Sequence, residues 1–231
     1  MEKKEARLTE LTEALNKATT DRTRFDALSN LYDEYHSFNA DSAYNISLQQ
    51  EIIAQRLAEP TLMAQARLHR ADILSATGMY HETLELIDSI KVDELPQYLH
   101  PYYFHIKRTV YGRLADFAAF EPEKQRYSNL TEIYRDSIMA TNEANSLAHI
   151  ITKADCFNLN GNPQAAVDVL DAFMTNNDLS EHERAICAWT LSDAYARLGN
   201  RTKQKEQLIR SSISDLKSSV REYMSLRQLA L

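Results

Sequence analysis

One three-residue pattern recurs four times along the chain and constrains its fold more than any other feature. Each copy starts with an acid: Asp33, Asp72, Asp155 and Asp193. A turn-forming residue follows six positions later: Asn39, Gly78, Gly161 and Gly199. Nine positions beyond the turn stands an aliphatic residue: Leu48, Ile87, Leu170 and Leu208. Because Gly, and less readily Asn, adopts the left-handed conformation that ends a helix, the pattern predicts repeated helix–turn–helix units.

The spacing of the turns gives the number of units. Successive turns lie 39 residues apart from Asn39 to Gly78 and 38 apart from Gly161 to Gly199, and the 83-residue gap between these pairs leaves room for one more hairpin. One such hairpin cannot bury its apolar stripe alone, whereas stacked hairpins share a continuous core. We therefore expect an all-α fold, an α-solenoid of about five to six stacked hairpins with a right-handed superhelix. The prediction is a single repeat domain over 1–231, with turns near 39, 78, 116, 161 and 199 and a C-terminal helix over about 215–230.

Composition agrees with a helical array. The 231 residues include only 4 Gly and 5 Pro, too few for the frequent turns of a β-sandwich or barrel. No apolar run reaches the ~18 residues of a membrane span. The formal net charge is −7, although the stretch from Arg201 onward is basic. Acids are interleaved with those bases, which favours a solvated helix face over a nucleic-acid surface.

The motifs of common catalytic and metal sites are missing from the sequence. The pairs His81-Glu82 and His182-Glu183 lack the second His that a zinc-binding helix needs four residues after the first. The seven His residues show no ligand spacing, and Cys156 and Cys187 each fit an apolar helical pattern. We therefore predict a non-enzymatic protein with no catalytic residue, no cofactor and no metal.

The repeated Asp residues give the first candidate binding site. In stacked repeats, equivalent positions of the first helices line up along the concave face of the superhelix. The predicted groove contains the four acids and their neighbours one turn away: Asp33, Asp72, Asp155, Asp193, Leu68, Ser75, Ile151, Asn158 and Trp189. Carboxylates beside one Trp suit a cationic or amphipathic protein segment. The alternative is that each Asp bonds to a neighbouring hairpin and sets the stacking.

A second candidate is an aromatic patch. Tyr98, Tyr102 and Tyr103 share roughly one face of a helix in the longer middle unit. Such a patch could contact a partner, although packing inside that unit explains it equally well.

The repeats resemble tetratricopeptide repeats (TPRs). The segment from Ala71 through Gly78-Met79-Tyr80 to Ile87 fits best, and Ala154 through Gly161 to Leu170 fits next. More narrowly, the chain resembles the N-terminal TPR-like region of a Bacteroidota family of membrane-anchored proteins described as transcription regulators. The strings that carry this resemblance are Tyr32 to Tyr35, Phe38 to Ala43, Tyr134 to Ser137 and Ser211 to Val220.

The resemblance implies a sensor or docking domain that faces the envelope (periplasm), with its signal peptide and membrane anchor outside this sequence. The implied partner is a protein or peptide, not nucleic acid, and the membrane is contacted only through the missing C-terminal anchor. Two alternatives stay open. One is a cytosolic TPR-type regulator whose DNA-binding part is missing, and the more remote one is a hydrolase on a helical scaffold.

Overall fold

The computed structural model describes residues 2–218 and 224–230, and within these ranges it contains helices and no β-strand. The α-helices are α1 (Glu2–Lys17), α2 (Asp21–Tyr35), α3 (Ala40–Leu57), α4 (Pro60–Ala76), α5 (Tyr80–Asp88), α6 (His100–Phe117), α7 (Glu121–Thr141), α8 (Leu147–Leu159), α9 (Pro163–Asn176), α10 (Glu181–Arg197), α11 (Arg201–Ser218) and α12 (Met224–Leu229). Two short 3-10 helices lie between α5 and α6. The predicted all-α fold class is confirmed.

Local sequence signals set the helix ends. Thr20 and Ser180 form capping boxes at the starts of α2 and α10, so two otherwise unpaired N–H groups are satisfied at each start. The Asn39 side chain caps α3 by accepting a hydrogen bond from the Ser42 N–H at 3.0 Å. Gly78, Gly161 and Gly199 all adopt positive φ directly after a first helix. Each first helix of a repeat therefore ends where the Asp–turn spacing places it.

Gly161 offers a test of this turn chemistry. Its φ of +74° is unfavourable for a residue with a Cβ, so Gly161→Ala is expected to lower the free energy of unfolding by ~1–2 kcal/mol. Gly112 lies inside α6, and a Cβ there would meet Thr131 Cγ2 at an ordinary 3.8 Å. Gly112→Ala should therefore stabilise the protein by ~0.5–1 kcal/mol. Urea unfolding followed by circular dichroism measures the free energy of unfolding of both variants. If both variants were stabilised, or both destabilised, the assignment of Gly161 to a left-handed turn and Gly112 to a helix interior would be contradicted.

The chain divides into two compact units, Met1–Ser137 and Ile138–Leu231, and the boundary falls within α7. In the first unit α1 to α5 pack in chain order, and α6 packs against α4 and α5. One core cluster joins α1 to α4 around Leu28 and Ile53, and a second joins α4 to α6 around Leu68, Ile87 and Ile106. The first unit therefore builds its core by adding one helix after another.

The second unit repeats this arrangement with α8 to α12. Helix α9 packs against both α8 and α10, and α10 packs against α11. Leu170, Cys187 and Leu191 fill the centre, and the fully buried Ala154 and Ala166 let α8 and α9 approach closely. Both cysteines are free thiols. The aliphatic position of the repeat is confirmed as core for Ile87, Leu170 and Leu208, whereas Leu48 is only half-buried.

Two boundaries differ from the prediction. Helix α6 continues through Asp116 to Phe117, so the chain reverses over 118–120. The prediction of a separate helix starting at 215 was wrong, because α11 runs on to Ser218 and buries Asp215. Since no Gly or Pro follows Gly199, nothing in the sequence ends a helix at 214. Part of the predicted helix, 219–223, lies outside the described residues.

None of the described helices is both long enough and apolar enough to cross a membrane.

Candidate functional site

The first helices of the hairpins in the first unit, α2, α4 and α6, are joined by a polar and aromatic network. The Tyr32 ring on α2 stacks on the His69 ring on α4, with 4.0 Å between ring centroids. The Tyr32 hydroxyl donates to the backbone oxygen of His69 at 2.8 Å. The Tyr102 hydroxyl on α6 donates to Oδ2 of Asp72 on α4, also at 2.8 Å. Asp72 and His69 thus connect three successive first helices.

His69 is held as a neutral ring inside this network. Its Nδ1 lies 2.8 Å from Gln50 Oε1, which can only accept, so the proton is on Nδ1. Gln50 Nε2 donates in turn to Ser29 Oγ at 2.8 Å. Burial, and to a smaller extent the charge of His36, lowers the pKa of His69 to about 3. The ring therefore stays uncharged under physiological conditions.

Asp72 has a structural role in this network. Its Oδ2 accepts from Tyr102 and lies 3.4 Å from the Tyr32 hydroxyl. Burial, and then the negative charge of Asp72, raises the pKa of both tyrosines well above the ordinary value, so both keep their hydroxyl protons. Asp33, at the equivalent position of α2, is exposed. The two acids share a register position but have different surroundings.

A matched pair of variants separates these roles. Asp72→Ala is expected to lower the free energy of unfolding by ~1–3 kcal/mol, because the buried Tyr102 hydroxyl loses its acceptor. Asp33→Ala should change the same quantity by no more than ~0.5 kcal/mol, because Asp33 is exposed. Chemical unfolding of both variants measures the difference. If both variants lost the same free energy of unfolding, the position of the Asp in the repeat, and not its hydrogen bonds, would decide how much it stabilises the fold.

In the second unit the equivalent face is formed by α8 and α10. Arg197 Nε donates to Asp193 Oδ2 at 2.9 Å, and Arg197 Nη1 donates to the backbone oxygen of Asn158 at 3.1 Å. This bridge fixes the end of α10 against the end of α8. Asp193 lies one turn before Arg197 on α10, Asp155 lies one turn before Asn158 on α8, and both acids are half-buried.

Trp189 and Ile151 lie one further turn back along α10 and α8, and both are also half-buried. Counted back from the Arg197–Asn158 bond, Trp189 and Ile151 hold matching positions on α10 and α8, each one turn before a carboxylate. We call the set Ile151, Asp155, Trp189 and Asp193 the Trp–Asp face. It is the part of the predicted groove whose side chains all stay partly accessible.

Several predicted site residues lie elsewhere. Leu68, Ser75 and Asn158 are buried, so the expectation that they line an open groove was wrong. Leu68 belongs to the core between α4 and α6. The buried stripe of a first helix is therefore wider than a single row of residues, and it includes these three positions.

The predicted aromatic patch does not form a single exposed surface. Tyr98 is 69% exposed, whereas Tyr103 is only 7% exposed and packs in the core. Tyr102 is half-buried and donates to Asp72. The packing interpretation is therefore the correct one for Tyr102 and Tyr103.

A buried lysine is the feature that sequence reasoning missed. Lys107 on α6 is 3% exposed, and its Nζ lies 5.7–5.9 Å from the ring centroids of Tyr103, Tyr111 and Tyr134. Its ammonium pairs with Asp88 at the end of α5. Burial raises the pKa of Tyr103 to about 12, so the surrounding ring stays neutral. The four-residue spacing of Tyr103, Lys107 and Tyr111 on α6 could have predicted two of the three ring contacts.

Across the described ranges, His, Cys, Asp and Glu side chains form no group of three or more that could hold a metal ion. Two acids of the repeat have side-chain partners of another kind: Asp72 accepts from Tyr102, and Asp193 accepts from Arg197. The arrangement thus offers contacts and surfaces, and we assign no catalytic role to any of its residues.

Comparison with protein families places this fold. A family model described as the SusR N-terminal TPR domain matches residues 1–231. No curated protein matches the chain. The match spans the sequence from end to end, and it confirms the resemblance that the repeat spacing and the strings around Tyr32 and Tyr134 indicated.

Proposed function

The chain belongs to the family of SusR N-terminal TPR domains, a fold that serves as a protein–protein interaction scaffold, and we propose from this premise that it docks a cationic, amphipathic polypeptide segment for a regulator. Its action is then binding, not catalysis. The observation that carries the proposal is the Trp–Asp face of the second unit. There a half-buried indole and a half-buried carboxylate lie one turn apart on α10, and the neighbouring α8 carries a second half-buried carboxylate.

The chemistry of this face suits such a segment. An indole ring attracts Lys and Arg side chains through its π-face, and carboxylates add charge complementarity. Ile151 supplies an apolar contact on the same face. Arg197 neutralises part of Asp193, whose side chain is 49% exposed, so a cationic partner would compete with a solvent-screened pair.

Trp189 makes the test direct, because it is the only tryptophan in the chain. A peptide of four Lys-Leu-Ala-Lys repeats is expected to shift the Trp189 emission and to bind, while its Glu-Leu-Ala-Glu counterpart should not. The double variant Asp155→Asn with Asp193→Asn should weaken binding at least about fivefold. Asp171→Asn on the exposed side of α9 is the matched control. Equal binding of the two peptides, or by the double variant, would contradict the proposal.

We further infer that the domain faces the envelope as part of a membrane-anchored protein. The support is the resemblance to the regulator family whose N-terminal region lies on that side. In the full-length protein, protease added to intact spheroplasts should cleave this domain. Protection of the domain there, together with cleavage after lysis, would favour a cytosolic regulator with a separate DNA-binding part.

A further inference from the structure

A cleft of about 600 Å³ opens between α9, α10 and α11 of the second unit, and its lining includes no residue of the Trp–Asp face. Its volume falls in the range of small-molecule sites. Apolar side chains from all three elements line part of it: Met174, Leu179, Ala188 and Ile213. The remaining lining is polar, and two of its side chains decide what the cleft would accept.

Gln207 on α11 is the first of these side chains. It lines the cleft, is only 8% exposed, and its Oε1 has no hydrogen-bond partner in the part of the chain that the structure describes. Buried acceptors in folded proteins are nearly always paired. The Oε1 of Gln207 is thus an acceptor at the cleft that an entering N–H or O–H donor could satisfy.

Arg184 on α10 is the second. Its Nε donates to the backbone oxygen of Leu179 at 2.9 Å, which orients the guanidinium at the cleft. Its Nη2 is 3.7 Å from Asp178, a long ion pair with a fully exposed carboxylate. The other two cations of the lining are engaged: Arg210 with Glu206 at 2.7 Å and Lys217 with Glu181 at 3.5 Å. Arg184 is thus the oriented cation that can bind an entering carboxylate while breaking the weakest existing ion pair.

We propose that this cleft binds a small organic acid of the N-acyl amino acid type. The ligand places its carboxylate on Arg184, its N–H on Gln207 Oε1 and its apolar side chain against Leu179 and Ile213. This site is separate from the Trp–Asp face and takes a ligand of opposite charge. It would make the domain responsive to a metabolite as well as to a protein.

Three compounds test the assignment on the unmodified protein by calorimetry. N-acetyl-leucine carries all three features, and we expect a Kd of ~1 mM or tighter for a ligand of this size. N-acetyl-leucinamide lacks the carboxylate, and 4-methylpentanoate lacks the N–H. We expect the amide to bind at least about tenfold more weakly and the simple acid about three- to tenfold more weakly. No binding of N-acetyl-leucine at 10 mM, or equal binding of acid and amide, would overturn the proposal.

Variants locate the site. Arg184→Met should remove the preference for acid over amide, whereas Arg201→Met, at the exposed start of α11, should preserve it. Gln207→Leu should weaken N-acetyl-leucine about fivefold without lowering the melting temperature, because it removes an unpaired buried oxygen. A preference that survives Arg184→Met, or a destabilised Gln207→Leu with unchanged affinity, would overturn the assignment.

A longer ligand distinguishes the source of the carboxylate. Acetyl-Ala-Ala-Ala-Leu ends in the same group, and affinity equal to or weaker than that of N-acetyl-leucine supports a free metabolite. Tenfold tighter binding would overturn this in favour of a polypeptide end. The Asp155→Asn and Asp193→Asn variant should leave these affinities unchanged. A negative result for ligand binding at the cleft can therefore be distinguished from a negative result for peptide binding at the Trp–Asp face.

Discussion

Replacing Leu170 by Ala is expected to lower the free energy of unfolding by ~2–5 kcal/mol. Leu170 is fully buried in α9, in the core that also contains Cys187 and Leu191. Removing its branched side chain loses the transfer free energy of three carbons and leaves a cavity that close-packed helices cannot fill. Urea unfolding followed by Trp189 fluorescence measures the loss, because Trp189 belongs to the same unit.

Leu159→Ala provides the matched control for this prediction. Leu159 lies at the end of α8 in the same unit and is 54% exposed. The same chemical change there should alter the free energy of unfolding by no more than ~0.5 kcal/mol. An unmoved midpoint for Leu170→Ala would mean that the aliphatic position of the repeat does not fill the layer between helices.

Acid is expected to destabilise the first unit through His69. Its pKa is about 3 in the folded protein and near the ordinary histidine value of 6.5 in the unfolded chain, so the unfolded chain gains a proton as pH falls below ~6.5 while the folded chain does not. Stability is therefore complete above pH ~6.5 and is lost progressively between pH ~6.5 and ~3. At pH 5 the loss is about 2 kcal/mol, since each pKa unit corresponds to ~1.4 kcal/mol.

The His69→Gln variant isolates this effect. Gln keeps a donor for Gln50 Oε1 but does not titrate, so the stability difference between the two proteins should shift by about 2 kcal/mol in favour of the variant from pH 7.5 to pH 5. His81→Gln, at an exposed position on α5, is the control and should produce no comparable shift. A wild type and a His69→Gln variant with parallel pH profiles would show that His69 accepts a proton in the folded state.

The regular part of this fold could be predicted from sequence because its signals are local. A Gly six residues after an Asp decides where a helix ends, and this holds for Gly78, Gly161 and Gly199. Cap residues and small core residues obey the same short-range rules. The helix boundary that we predicted near 215 had no such signal in the sequence, and α11 continues through it to Ser218.

The candidate site was harder to predict because its chemistry depends on contacts between distant segments. Asp72 and Asp33 are equivalent in the sequence pattern, yet only Asp72 meets a tyrosine of a helix 30 residues away. Leu68 and Trp189 hold matching positions one turn before an Asp, but Leu68 is buried where α6 covers α4, whereas Trp189 stays half-buried. Periodicity shows which residues share a stripe, and only tertiary packing decides how much of the stripe is covered.

The enclosure of Lys107 has a practical consequence for watching the molecule move. An acylating reagent must reach a deprotonated amine, and three phenol rings with one carboxylate stand between this amine and water. Exposed amines such as Lys17 and Lys91 would be modified at once. Lys107 would react only during moments when α5 or α7 separates from α6. The rate at which Lys107 is modified, followed by mass spectrometry, therefore reports how often the helices around it open.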